Sequence, residues 1–258
     1  VSSTWAAPFP GAIGATRLRV YDTVAPDGLR GGTPHLHTVC TEAYAVVAGR
    51  GLVQTLDGDG YHETPLEPGA LVWFTPGTVH RVVNGDGRLE ILVLMQNAGL
   101  PEAGDLVVTF PDEVLADPDR YREAATLPPE QATTAGPDDA ARRRRDLAVE
   151  GFHALRDGEA AGRRSLRRLH ERAAALVRPH LDDWRRVWEA GPLAEALATG
   201  SHLDHLAAGR ADHLAAASTH QLGPHRGDRR YGCCGLLGPL LAHDGAPPPG
   251  PDVDGAPR

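Results

Sequence analysis

Lysine is missing altogether: all 26 basic residues are arginine. Together with the abundance of Ala, Gly and Pro, this speaks of a GC-rich coding sequence more than of a function. Long apolar runs are also missing, so we expect no transmembrane helix and no membrane partner. Cysteine is scarce. Cys40, Cys233 and Cys234 cannot make a disulfide framework, and an adjacent pair is poorly shaped for a mutual bridge. The stretch from Val1 to Gly14 lacks any basic residue and does not read as a signal peptide. Reduced thiols in a cytoplasmic protein are the expectation. No internal repeat is present.

The formal net charge is −8. Residues 1–127 carry 8 Arg against 16 acidic residues, whereas residues 128–258 carry 18 of each. The acidic excess of the first half argues against a nucleic-acid surface there, and no helix-turn-helix precedes the strand-like region. No nucleic-acid partner is expected.

What the chain does contain is a series of short strand signals followed by a helical period. Residues 1–16 read as an irregular arm. Thr16 to Thr23 alternates as a strand. Strand signals recur at His35–His37, Glu42–Ala48, Leu52–Leu56, Tyr61–Pro65, Ala70–Phe74, His80–Asn84 and Leu89–Gln96, punctuated by Gly, Pro and Asp-Gly turns. Ala70–Phe74 is wholly apolar and is expected to be buried on both faces. Residues 17–110 therefore read as one β-barrel or sandwich domain. Asn97–Asp105 is expected to trail off it, 111–137 to be a Pro-rich linker, 138–241 to be helical, and 242–258 to be a disordered tail. Gly191-Pro192 is expected to stop one helix, with shorter ones over 193–198 and 202–216. The four arginines 142–145 read as a solvated helix start.

Within the strand region, His35 and His37 stand at i and i+2, on one strand face and about 7 Å apart. Glu42 can join them from the continuing strand if the break between is irregular. His80 must arrive from another strand. Three imidazoles and one carboxylate suit one divalent transition metal, Fe(II), Mn(II), Zn(II), Ni(II) or Cu(II), with a position open for substrate. No cysteine stands at a ligand position, which argues against a closed structural zinc site.

These residues carry a resemblance. His35-x-His37, four residues, Glu42, six residues, Gly49 is similar to the first motif of the cupin superfamily. Gly69, then Pro76-Gly77, two residues, His80, three residues, Asn84 is similar to the second. The leading glycine of the first motif is displaced to Gly28 or the Gly31-Gly32 pair, and the proline of the second is shifted by one, but no ligand position is touched. The resemblance covers about residues 28–95. It implies a mainly β jelly-roll (double-stranded β-helix) fold ahead of the α-helical C-terminal region. It also implies His35, His37, Glu42 and His80 as metal ligands.

Tyr44 shares a strand face with Glu42 and is the candidate proton donor. Gln54, Trp73, Asn84 and Gln96 are candidate pocket residues. Proteins with these motifs include dioxygenases, oxidases and sugar-type isomerases. The expectation is a metal-dependent enzyme acting on a small polar or aromatic metabolite, Fe(II) or Mn(II) being preferred and oxygenase or oxidase chemistry favoured over isomerisation. The alternative is a non-catalytic metal-dependent binder or sensor of a sugar or metabolite. A homodimer formed through the apolar strand Leu89–Met95 is also expected.

Overall fold

The computed structural model describes residues 9–157, 162–221 and 228–241. Its strands are β1 (Gly14–Val20), β2 (His35–Leu36), β3 (Glu42–Ala48), β4 (Gly51–Asp57), β5 (Gly60–Leu66), β6 (Leu71–Phe74), β7 (Val79–Asn84), β8 (Glu90–Met95) and β9 (Val107–Val108). Helices α1 (Asp112–Leu115), α2 (Pro118–Ala125), α3 (Asp139–Arg156), α4 (Gly162–Val177), α5 (Leu181–Trp188) and α6 (Ala194–Ala207) follow, then strands β10 (Arg230–Tyr231) and β11 (Gly235–Leu241). The strands form two antiparallel sheets, ordered β10-β11-β1-β8-β3-β6 and β5-β4-β7-β2-β9.

Alternation explains the first sheet. Leu18 and Val20 of β1 turn inward, while Arg17 and Arg19 turn outward to Glu90 on the neighbouring strand. The inner faces enclose one core, including Tyr44, Val46, Val53, Phe74, Val82 and Ile91. A second core lies outside the five-stranded sheet, where Leu36, Leu56, Val79 and Val108 meet Phe110, Phe152 and Leu169. Residues of the described helices α1, α3, α4 and α5 pack into that second core. β7 is therefore buried along its whole length, and each of its polar residues needs a partner.

Two glycines show how tightly the layers close. Gly49 turns β3 into β4 at φ 74°, and a Cβ there would lie 2.4 Å from the Arg88 carbonyl. Gly151 lets α3 approach the sheet: a Cβ would lie 2.2 Å from the Thr109 carbonyl oxygen. Thr109 also donates its hydroxyl to the Ala148 carbonyl at 3.2 Å, fixing the same contact.

Several expectations are corrected. Residues 138–241 are not helical throughout. β11 returns to pair with β1 and buries Cys234 in the barrel core. The signal was weak because Gly232 to Pro239 mixes turn residues with leucines, and a strand added to an existing edge needs no strong propensity of its own. Residues 111–137 are not a bare linker, since α1 and α2 lie there and Val114 and Leu115 enter the second core. β6 is not buried on both faces: it is an edge strand, with Leu71 57% and Trp73 63% exposed. β8 is not an edge but lies between β1 and β3, so it cannot carry a dimer by edge pairing. Pro192 sits inside a π turn, Glu189–Leu193, that runs on into a single helix α6 rather than stopping the chain.

The arginine run divides in two. Arg142 is a solvated pair with Asp138 at 2.7 Å. Arg145 is wholly buried, donating to the carbonyls of Thr23 and Val24 and to the Thr23 hydroxyl, and Arg144 donates to the carbonyls of Ala125 and Gly232. The helix is thereby stapled to the Thr23–Val24 loop, to the end of α2 and to the turn at Gly232. The tail at 242–258 and the first part of the arm lie outside the described residues.

Candidate metal centre

His35 is the first residue of β2 and pairs directly with His80 of β7, so both side chains leave the same sheet face. His37 follows at i+2, just past the strand. Glu42 opens β3 on the facing sheet, between Met95 and Phe74. The two sheets thus bring the four side chains together inside the barrel, at 2%, 6%, 5% and 1% exposure in chain order. One ligand atom from each lies within 4.8 Å of the others, the sole such group among the described residues.

Each histidine is oriented by a backbone carbonyl. Nδ1 of His35 donates to Thr33 at 2.8 Å and Nδ1 of His80 to Thr78 at 3.1 Å. Nδ1 of His37 makes a short bond to the Asp105 carbonyl. With the proton on Nδ1, Nε2 of each ring is left as a lone pair aimed inward. Oε2 of Glu42 lies 2.9 Å from Nε2 of His80 and 3.3 Å from Nε2 of His37. Glu42 Oε2 and His80 Nε2 are both buried without a hydrogen-bond partner. Lone pairs set this close require a positive charge between them. One proton satisfies a single pair, whereas one cation satisfies all four groups. The donor set fits a divalent transition metal.

The electrostatics agree. Burial pushes the Glu42 carboxyl up, but the imidazoles of His80 and His37 outweigh it and hold it well below the usual range. Burial, with the neighbouring imidazoles, holds His35 far below its ordinary value, so it is neutral and ready to ligate. For His37 burial is outweighed by Glu42 and Asp105, which raise its pKa.

Around the four, Phe74 stacks on His80 with centroids 4.5 Å apart and shields it from water. Tyr44 is fully buried with its ring 6.2 Å from that of His80, and its hydroxyl lies 3.3 Å from the Cys234 sulfur. Cys40 turns away into the second core.

The other pocket candidates do not line the site. Gln54 is buried, but on the outer sheet face, opposite Arg81, where it donates to Glu63 at 3.2 Å. Thr55, its neighbour, pairs with His80 and faces inward instead. Trp73 pairs with Ala43 on the outer face of its sheet. Asn84 ties the barrel together, donating to the Val20 carbonyl and accepting from the Leu89 amide. Gln96 is exposed and accepts from the Thr41 amide.

Sequence reasoning missed Asp105 and Phe74. Phe74 was open to inference from its pairing distance to Glu42 on a short apolar strand. No local signal connects Asp105 to His37, which is 68 residues away.

The Cupin domain family matches residues 20–95, a span containing all four residues. No curated protein matches the chain. Among solved structures, one likeness is to an uncharacterized conserved protein with a double-stranded β-helix domain from Klebsiella pneumoniae, at 19% identity and TM-score 0.24, covering 32% of this chain and 63% of that one. Another is to a predicted oxalate decarboxylase from Thermotoga maritima, at 19% and 0.25, covering 33% and 64%. A third is to a TDP-fucose-3,4-ketoisomerase from Campylobacter jejuni, at 15% and 0.26, covering 33% and 58%. The chain spans less than two thirds of the length of each. The match of motif, sheet order and family places a cupin domain at residues 20–95.

Proposed function

We propose that this barrel holds one divalent transition metal, Fe(II) or Mn(II) in preference to Zn(II), Ni(II) or Cu(II), and uses it to transform a small polar or aromatic metabolite. The observation that carries the reading is the convergence of Glu42 Oε2 on two inward Nε2 atoms, with Glu42 Oε2 and His80 Nε2 buried and without a hydrogen-bond partner. His35, His37, Glu42 and His80 would hold the ion. When bound, it would supply Lewis-acid activation of a substrate oxygen and, as Fe(II), redox chemistry, which suits an oxygenase or oxidase before a sugar-type isomerase.

The chain's own residues would do the rest. Burial, with the nearby Cys234 and the Glu42 charge, raises the Tyr44 pKa well above its ordinary value, so the phenol stays protonated. It is therefore a proton donor and not a base. Phe74 keeps bulk water from His80. The burial of all four ligands and of Tyr44 favours a second reading, a metal-dependent binder that releases its ligand unchanged.

Oxygen uptake and product formation separate the two. With Fe(II)-loaded protein and a panel of small hydroxylated and aromatic metabolites, turnover should appear and vanish in His80→Ala. Tyr44→Phe should lower it by about 10²–10⁴-fold at fixed metal content. Tight binding of a panel member without turnover would establish the binder instead.

The three unpaired cysteines suit a reducing compartment, the cytoplasm. A homodimer would use the uncovered outer face of the six-stranded sheet, where edge strand β6 presents Leu71 and Trp73 without the charges that blunt natural edges. Sedimentation should give a dimer that Trp73→Glu dissociates. A wild-type monomer at high concentration would refute it.

A further inference from the structure

The segment 96–106 crosses the barrel at its metal end. It leaves β8 beside Glu42, since Met95 pairs with Glu42, and enters β9 beside His35, since Val108 pairs with His35. On the way it grips the link that separates His37 from Glu42. At one end Gln96 exchanges two hydrogen bonds with Thr41, accepting at 3.2 Å on its side chain and donating at 2.9 Å from its amide. At the other end Asp105, with no exposed surface, takes the rest of the link. Its Oδ1 accepts from the Thr38 amide at 2.7 Å and the Thr38 hydroxyl at 2.6 Å. Its Oδ2 accepts from the Cys40 amide at 2.8 Å, and the Val39 amide lies within 3.3 Å of both oxygens. The Asp105 carbonyl takes the Nδ1 proton of His37. The segment is itself anchored from the helical layer, where the Trp184 indole donates to the Ala103 carbonyl at 3.0 Å.

We propose that residues 96–106 are a strap that sets how fast the metal leaves, with Asp105 as its positioning residue. The proposal rests on the metal reading above. Its physical basis is simple. His37, just past β2, and Glu42, at the start of β3 on the facing sheet, are joined only by the four-residue link 38–41. Asp105 fixes that link through its carboxylate and the His37 tautomer through its carbonyl, so both ligands stay aimed with little freedom to swing away. Outer partners of this kind are worth about 10–100-fold in metal affinity. Through Trp184 the helical region acts on the same strap, which gives the C-terminal layer a role in metal retention.

Asp105→Asn tests this with little change of shape, because an amide N–H must then face backbone N–H groups. Wild-type and variant protein are loaded with Co(II) and, separately, Mn(II), and release to excess EDTA is followed by stopped flow. Asp105→Asn should release either ion about 10–100-fold faster and shift the Co(II) visible spectrum. Trp184→Phe, which keeps the ring and loses the N–H, should release about fivefold faster with an unshifted spectrum. Thr38→Val, which removes one donor to Asp105, should do likewise and decides the matter if Asp105→Asn fails to fold. Wild-type release rates and spectra in these variants would overturn the strap while leaving the metal site standing. Failure of wild-type protein to bind either ion would instead remove the metal reading, and the strap with it.

Discussion

Glu42→Gln will leave the barrel folded and abolish its stabilisation by metal. An amide supplies a poorer ligand oxygen, and its N–H₂ group cannot face the Nε2 atoms and a cation at once. The loss of affinity should exceed the 10–100-fold typical of an outer-shell change. Urea titrations with Mn(II) and with EDTA give the readout. Wild-type protein in metal at about 1,000 times its dissociation constant gains about 4 kcal/mol over the chelated form. The Gln variant should gain nothing. Equal stabilisation of both proteins would show that the ion binds elsewhere.

The same experiment has a defined pH dependence. His37 has a raised pKa in the metal-free fold, so its contribution to metal-free stability is complete below the ordinary value of 6.5 and is lost as pH rises through the raised value. Over that window a proton and the metal compete for Nε2, so affinity should climb with pH and level off above it. His35 and Glu42, both held low, add no competing proton at neutral pH. The stability gap between loaded and chelated protein should therefore widen from about pH 6.5 upward. A gap that narrows with rising pH would contradict the assignment.

Asp27→Ala is expected to cost the domain about 3–5 kcal/mol, the range for removing one partner of a buried ion pair. Arg81 follows His80 on β7 and so points from the opposite sheet face, where it is fully buried, and His153 of α3 lies 3.4 Å from its partner Asp27. Its guanidinium donates to both oxygens of Asp27, at 2.5 and 3.2 Å, and to the Gly32 carbonyl at 3.3 Å. Without Asp27 the guanidinium stays buried with only the partly exposed His153 near its former partner. Burial pushes the Asp27 carboxyl up, and Arg81 more than reverses this. The contribution is thus present above the ordinary value of 3.8 and lost as pH falls through the lower folded value. Denaturant midpoints at pH 7 give the cost directly. The double variant Asp27→Leu with Arg81→Met removes both charges and should recover most of it. A single variant as stable as wild type would show that Arg81 finds another counterion.

The convergence of His35, His37, Glu42 and His80 could be read from sequence because its signal is short-range: a two-residue spacing within one strand, and glycine and proline turns that fix where the next strand begins. Strand alternation likewise placed Leu18, Val20 and Tyr44 on inner faces. What could not be read was set by tertiary cover. Arg81 follows His80 and so leaves the inner face, but strand alternation alone does not tell a covered outer face from solvent, and Arg81 is fully buried. Gln54 and Trp73 were misplaced for the same reason, since both lie one residue off the inward register and period 2 makes that a change of face. β6 looked like a central strand because apolar composition does not distinguish burial from an uncovered outer face. β11 and Asp105 depend on contacts closed over long stretches of chain, for which no local pattern exists.

X-ray absorption at the metal edge of Fe(II)- or Mn(II)-loaded protein tests the central claim most directly. The geometry predicts outer-shell scattering from three imidazoles together with a carboxylate oxygen, for the ligands at 35, 37, 80 and 42. A spectrum with one imidazole or none, or that of the hydrated ion, would contradict it.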